Sequence, residues 1–241
     1  MRVLMITQKV DPGDPLLAFA IGWIRALAAR VDRLDVLCLE KQPAELPSNV
    51  QIWSMGKERQ AGRLAELGTF YRVVNRVIRQ TDVVFCHMVA RYALLALPIV
   101  RLHRRRIGLW YTHPSAGVEL RLTAPRLDWI ATADSSSFPL HGANVHALGH
   151  GIDTTLYSPD STPKADPPLI ASVGRLSPIK DHDISLRAAH ILKTQRGAPT
   201  CQFVVAGGEV PNAPGHREFL LQTRADLGLQ DDYFRFAGAL P

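Results

Sequence analysis

The sequence predicts an α/β protein: a doubly wound parallel sheet followed by a second, shorter unit of the same kind. Three observations predict it. The chain opens as strand, loop, helix and strand, the order from which parallel sheets are built. Its strand candidates are unbroken apolar runs, such as VLMI at residues 3–6 and LIASV at 169–173, a composition that suits strands covered on both faces. From Gly149 to Pro168 the texture changes to GHGIDTTLYSPDSTPKADPP, with four prolines and many turn formers, which reads as a linker. The expected division is therefore a first domain at 1–148, a linker at 149–168 and a second domain at 169–241.

Residues 2–7 form the first expected strand. The following loop, QKVDPGDP, carries two Asp-Pro turn signals around Gly13 and has no GxGxxG pattern, which counts against a dinucleotide oxidoreductase. A helix is expected from near Pro15, with Leu16, Ala20, Trp23 and Leu27 as its apolar stripe. Residues 33–39 and 50–54 give two more strands. A long helix over residues 57–80 turns Leu64, Leu67, Phe70, Val74 and Val77 toward the sheet. Arg72, Arg76 and Arg79 share another of its faces, which suits either solvent or anionic lipid.

Strand 82–86 ends at His87, and a helix is expected over 89–103. The run His103, Arg104, Arg105, Arg106 is the densest positive patch in the chain. Strand 107–111 then delivers Thr112, His113, Pro114 and Ser115 to its carboxyl end, where open α/β sheets place ligands. A histidine there is either a functional group or a structural hydrogen bonder. Strands at 127–132 and 145–148 complete the first sheet.

The second domain is organised by LIASVGRLSPIKDHDISLRAAHIL, residues 169–192: an apolar strand, a turn with Gly174 and Arg175, a short loop with Lys180, then a helix. Ile184, Ala188, Ile191 and Leu192 give the helix an apolar stripe, and Asp181 is placed to cap it. Freed amides at a helix N-terminus attract phosphate, a guanidinium grips two phosphate oxygens and an ammonium adds a point charge. The local sequence suits either a diphosphate site or a surface loop with two solvated cations. Strands at 202–206 and 233–237, with a helix over 215–227 between them, follow.

Composition narrows the classes further. Hydrophobic residues make up 46% and charged residues 21% of the 241, globular values that exclude disordered and fibrous proteins. The longest apolar run, Ala93 to Val100, contains Pro98 and stops at Arg101, short of the ~20 residues a membrane span needs. The N-terminus enters a strand without a cationic lead or cleavage site, so no signal peptide is expected. Cys38, Cys86 and Cys201 each border an apolar run and are expected as small buried thiols in a reducing, cytoplasmic setting. The formal charge of +6 favours anionic partners, but nothing beyond it points to nucleic acid, and none is expected.

Five motifs carry a resemblance to a known family. WYTH at Trp110 to His113, GHGID at Gly149 to Asp153, GRLSPIKD at Gly174 to Asp181, VVAGG at Val204 to Gly208 and FAGAL at Phe236 to Leu240 together resemble glycosyltransferase family 4, retaining enzymes of the GT-B fold. The resemblance spans essentially the whole chain. It implies a GT-B-like architecture, an N-terminal Rossmann-like acceptor domain followed by a partial second Rossmann-like domain for the donor. It implies that Gly174, Arg175 and Lys180 bind the diphosphate of a nucleotide sugar, and that His113 lies beside the reacting sugar, with His87 at the neighbouring strand end as the second candidate. Gly149, Gly151 and Asp153 match the motif that lines the cleft on the acceptor side, although Asp153 also suits a turn cap.

No metal or other cofactor is expected, the nucleotide diphosphate sugar being a co-substrate. The expected acceptor is a glycan or a lipid-linked glycan, and the basic patches suit peripheral contact with the inner face of a membrane. After Arg175 only Glu209 and Glu218 occur, and they do not match the paired glutamates of the family's donor site. The chain is thus expected to hold the acceptor domain and half of the donor domain, incomplete in this form, with strand 169–173 as an open edge prone to self-association. Two alternatives follow: a catalytically incompetent fragment that only binds, or another GT-B enzyme such as a nucleotide-sugar epimerase. The epimerase needs acid/base carboxylates in its cleft, and GRLSPIKD argues against it.

Overall fold

The computed structural model describes residues 1–14, 16–155, 158, 165–198, 200–210 and 213–240. The chain divides into two compact units, Met1–Asp153 and Thr154–Pro241. Within the linker expected at 149–168, residues 156, 157 and 159–164 lie outside the described residues, as does Pro15 at the expected helix start.

The first unit is built on β1 (Arg2–Val10), β2 (Arg33–Lys41), β3 (Val50–Ser54), β4 (Val83–His87), β5 (Arg106–Trp110), β6 (Trp129–Thr132) and β7 (Val145–Ala147). They form one sheet in the order β3-β2-β1-β4-β5-β6-β7, parallel throughout. Successive side chains of a strand point to opposite faces. Leu4 and Ile6 of β1 accordingly join one core with Phe70, Val74 and Ile107, while Val3 and Met5 join another with Ile24, Val36 and Trp110. This is why β1 needs an unbroken apolar run: helices cover both of its faces. Between β5 and β6, Gly108 leaves the space that the Trp129 indole fills, since a Cβ there would come within 2.2 Å of several ring atoms.

Four helices accompany this sheet: α1 (Ala20–Ala28), α2 (Arg63–Val77), α3 (Ala90–Leu102) and α4 (Val118–Thr123). Three differ from the expected pattern. Regular α1 starts at Ala20 and buries Ala20, Ile21, Ile24 and Ala28, leaving Leu16 exposed. The Asp14 carboxylate holds the preceding turn instead, accepting from the Leu16 and Leu17 N–H groups at 2.8 Å each. In α2 the buried set is Phe70, Val73, Val74 and Val77, and Leu64 is 87% exposed, because the helix meets the sheet only with its second half. The six-residue α4 has no counterpart in the sequence pattern, being too short for a period to show.

The second unit has β8 (Leu169–Val173), β9 (Gln202–Ala206) and β10 (Phe234–Gly238) in the order β10-β9-β8, all parallel, with α5 (His182–Thr194) and α6 (His216–Asp226). Its core joins Leu176, Leu186, Ala189, Phe203, Val205, Leu220 and Phe234. Here the expectation of a strand covered on both faces fails. β8 is the edge strand, with Leu169, Ile170 and Val173 exposed. The buried face of α5 is also not the one expected: His182, Leu186 and Ala189 face inward, while Ile184 and Ile191 face out.

Candidate functional site

The candidate residues gather at the carboxyl edges of the two sheets. In the first unit the strand order reverses between β1 and β4, with β2 and β3 to one side and β5 to β7 to the other. A crevice outside the carboxyl ends of the strands at such a reversal is where doubly wound sheets take ligands. His87 is the last residue of β4, and its Nδ1 lies 3.1 Å from the Thr7 hydroxyl of β1, which ties the two strand ends together. The ring is 98% buried, against Trp23 at 5.1 Å and Phe19 at 5.7 Å between centroids. Burial pushes its pKa down to about 4, so the imidazole is neutral at physiological pH. Its Nε2 is buried without a hydrogen-bond partner among the described residues. The next residue, Met88, has a left-handed φ of 67°, held by its N–H donating to the Trp110 carbonyl at 2.8 Å.

His113 stands on the loop after β5, beside His87's strand. Its Nδ1 accepts from the Ser115 N–H at 3.1 Å and lies 2.8 Å from the Ser115 hydroxyl, and the Tyr111 hydroxyl donates to the Ser115 carbonyl at 3.0 Å. Because a backbone N–H can only donate, Nδ1 is the acceptor, and the neutral ring carries its proton on Nε2. This leaves an exposed imidazole on a braced loop, with Nε2 as its remaining donor. Gly149 extends the same edge: its N–H donates to the Ala133 carbonyl at 3.0 Å, and its φ of 82° is one that only glycine adopts without penalty. The His150 ring then lies 5.7 Å from that of Trp110, and Gly151 and Asp153 follow in exposed, irregular chain that closes the unit.

An ion cluster that the sequence pattern did not flag lies at the same edge. Lys9 Nζ meets Asp14 at 2.8 Å, Asp11 at 3.1 Å and Glu40 at 3.1 Å. Its bonds to Asp14 and Glu40 hold the ammonium well above the usual lysine range. The cluster pins the Asp11–Asp14 turn over the ends of β1 and β2. The basic run, by contrast, sits at the opposite edge, where β5 begins. There Arg105 donates to the Arg79 carbonyl at 3.1 Å, and Arg104 and Arg106 face solvent. Strand β5, about 13 Å from end to end at ~3.3 Å per residue, separates those cations from His113.

In the second unit Gly174, Arg175 and Lys180 share one loop. The Lys180 stem crosses Gly174, whose added Cβ would lie 3.5 Å from Lys180 Cδ. The Gly174 N–H donates to Ala206 O and the Leu176 N–H to Gly208 O, both at 2.9 Å, so the loop is laced to the end of β9. Gly207 makes this approach possible, because a Cβ there would stand 1.8 Å from the Gly174 carbonyl oxygen. A single 3-10 turn, Pro178–Lys180, leads to Asp181, which takes a left-handed φ of 48°. Asp181 is the N-cap residue of α5, yet its side chain makes no capping hydrogen bond. Both cations are exposed beside the start of that helix. Such an arrangement can hold an anion.

The remaining chemistry is limited. The three thiols are buried and free, and burial pushes Cys38 up to about 12, so it is not a ready nucleophile. Among the described residues no group of three or more His, Cys, Asp or Glu side chains could hold a metal ion, and no helix is long and apolar enough to cross a membrane.

No protein-family model matches the sequence, and no curated protein matches it. Solved structures do match. The Anabaena protein HepE in complex with UDP and glucose is similar at a TM-score of 0.68 and 15% identity, over 100% of this chain and 70% of that one. TarM is similar at a TM-score of 0.73 and 5% identity, over 99% and 76%. The UDP-GlcNAc 2-epimerase of Methanocaldococcus jannaschii is similar at 0.57 and 8%, over 100% and 74%. At these identities the likeness establishes the fold, the α/β architecture of GT-B proteins along the length of the chain.

Proposed function

We propose that the chain transfers a sugar from a nucleotide diphosphate sugar to a glycan or lipid-linked acceptor, in the retaining manner of glycosyltransferase family 4. One observation carries the reading: Gly174, Arg175 and Lys180 converge on one loop, between the carboxyl end of β8 and the start of α5. Arg175 and Lys180 neutralise the negative charge that grows on the departing diphosphate, an effect of about 3 kcal/mol for each preorganised cation. The donor-loop cations do this without a metal. His113, exposed and with Nδ1 held by Ser115, orients the sugar through Nε2, and His87 holds the carboxyl ends of β1 and β4 in place. Gly149, Gly151 and Asp153 line the acceptor side.

The likeness to HepE, solved with UDP, supports a uridine nucleotide as the first donor to try. An epimerase remains the competing enzyme, since the UDP-GlcNAc 2-epimerase shares the fold at a TM-score of 0.57, and GRLSPIKD at Gly174 to Asp181 is what argues against it. The basic edge at Arg104 and Arg106, with exposed Leu102, suits peripheral contact with anionic lipid, which co-sedimentation with anionic against neutral vesicles checks. The free edge of β8 suits self-association.

Calorimetry with UDP and GDP tests the central claim. The wild-type protein binds one of them, and Arg175→Ala and Lys180→Ala each weaken that binding by ~1.5 to 3 kcal/mol, roughly ten- to a hundredfold. Unchanged affinity in both variants overturns the diphosphate assignment. Donor binding without turnover on any acceptor selects the binding-only alternative.

A further inference from the structure

The loop that carries Arg175 is itself held by a residue that the diphosphate reading does not use. His182 opens α5 and is 98% buried, in line with Leu186 and Ala189 on the helix's inward face. Its Nε2 lies 3.1 Å from the Arg175 carbonyl oxygen. A carbonyl only accepts, so the ring donates. Its other nitrogen, Nδ1, is buried with no hydrogen-bond partner among the described residues. An imidazole in this position is therefore only half satisfied, and an apolar side chain would fill the same space without stranding a polar atom. The bond to Arg175 is what the histidine adds.

That bond completes a grip on one peptide unit. On one side of the Arg175–Leu176 peptide, His182 donates to the Arg175 carbonyl; on the other, the Leu176 N–H donates to Gly208 O at 2.9 Å. Leu176 is 3% exposed and anchors the inner side of the loop, so Arg175 is turned outward. The left-handed turn at Asp181 brings the chain back so that residue 182 meets residue 175. With the peptide held at both its carbonyl and its N–H, the direction in which the Arg175 side chain leaves the backbone is held as well.

We propose that His182 is a positioning residue for the diphosphate loop, donating from Nε2 to the Arg175 carbonyl so that the Arg175 guanidinium is preorganised for the donor. The inference rests on the diphosphate reading for its functional half, while the pinning of the loop stands on the geometry alone.

Two substitutions and two readouts separate the possibilities. His182→Leu keeps an apolar body in the core and removes the donor; His182→Gln puts an amide nitrogen close to where Nε2 stood. In the full chain, hydrogen exchange at the Leu176 amide is expected to quicken at least tenfold in His182→Leu, with the Phe203 and Val205 amides of β9 unchanged, and to return toward wild type in His182→Gln. UDP or GDP affinity follows the same order, falling about tenfold in the leucine variant and recovering in the glutamine variant. Wild-type exchange at Leu176 in His182→Leu overturns the proposal. So does loss of protection throughout the second unit in both variants, since that marks a merely structural histidine. If the exchange pattern holds but the wild-type protein binds neither nucleotide, the diphosphate reading fails and the functional half of this inference fails with it, while the pinned loop stands.

Discussion

The Thr7 hydroxyl and Nδ1 of His87 meet at 3.1 Å across the two strands between which the sheet order reverses. This contact places a neutral, buried imidazole at the carboxyl end of β4, and its pH dependence follows directly. The folded state holds the pKa at about 4, below the ordinary 6.5, so between those values the unfolded chain binds more protons. Stability from this group is fully present above about pH 6.5 and is lost as pH falls toward 4, roughly 3 kcal/mol in all. Urea unfolding at about pH 7 and pH 5 is expected to show the wild type losing about 2 kcal/mol more than His87→Leu. An equal loss in both proteins means that His87 is not held neutral.

His113 differs from His87 in its setting: it is exposed, on a loop, and its Nδ1 is taken up by Ser115. If it faces the reacting sugar, His113→Ala lowers kcat by about ten- to a hundredfold while UDP affinity stays within about twofold. Steady-state turnover paired with calorimetry makes the comparison. Parallel losses in both quantities assign His113 to holding its loop.

Gly207 tests the contact between the ends of β8 and β9. Gly207→Ala drives a methyl into the Gly174 carbonyl, which is backbone and cannot swing aside, so the strand ends must part. The expected result is about 1 to 3 kcal/mol of destabilisation in the second unit and weakened UDP binding. Gly208→Ala is the control, because among the described residues its Cβ meets only the Ala239 Cβ, at 3.4 Å. A Gly207→Ala protein with wild-type melting and binding would show that the loop does not depend on this close approach.

Much of this fold was legible because strands announce themselves by apolar runs. β1, β4, β5, β8 and β9 fall within three residues of their expected bounds. The helices were less legible for a physical reason visible in α5. Its sequence carries two stripes at helical spacing, His182–Leu186–Ala189 and Ile184–Ala188–Ile191, and periodicity has no means of choosing between them. The sheet chooses, by what it has room to cover. Gly174, Arg175 and Lys180 stand out in the sequence by their motif, and the structure adds only that they share one loop. His182 was not found, because a histidine between two aspartates looks like a solvated helix start until Leu176 and the Asp181 turn draw it inward. The Lys9 cluster was hidden likewise, since Glu40 reaches it only through the pairing of β1 with β2.

The edge strand β8 sets the last expectation. In its ladder with β9, the Pro168 carbonyl accepts from Gln202 and the Gly174 N–H donates to Ala206, so even-numbered residues face β9. The odd-numbered Leu169, Ala171 and Val173 then turn their backbone groups to the free edge. The side chains nearby are apolar: Val173 is 84% exposed, Ile184 and Ile191 are exposed on α5, and a groove of about 230 Å³ lined by Ile170, Ser172, Ile184 and Ala188 runs beside them. No lysine, proline or bulge blunts this strand, the devices by which exposed edges are kept from pairing. An identical strand from a second copy, laid antiparallel, satisfies both sets of groups at once. The protein is therefore expected to self-associate, with a mass by light scattering that rises with concentration. Val173→Lys, which places a charge on the edge without touching the core, is expected to return it toward the monomer. A wild-type monomer across a wide concentration range would show that the β8 edge does not pair.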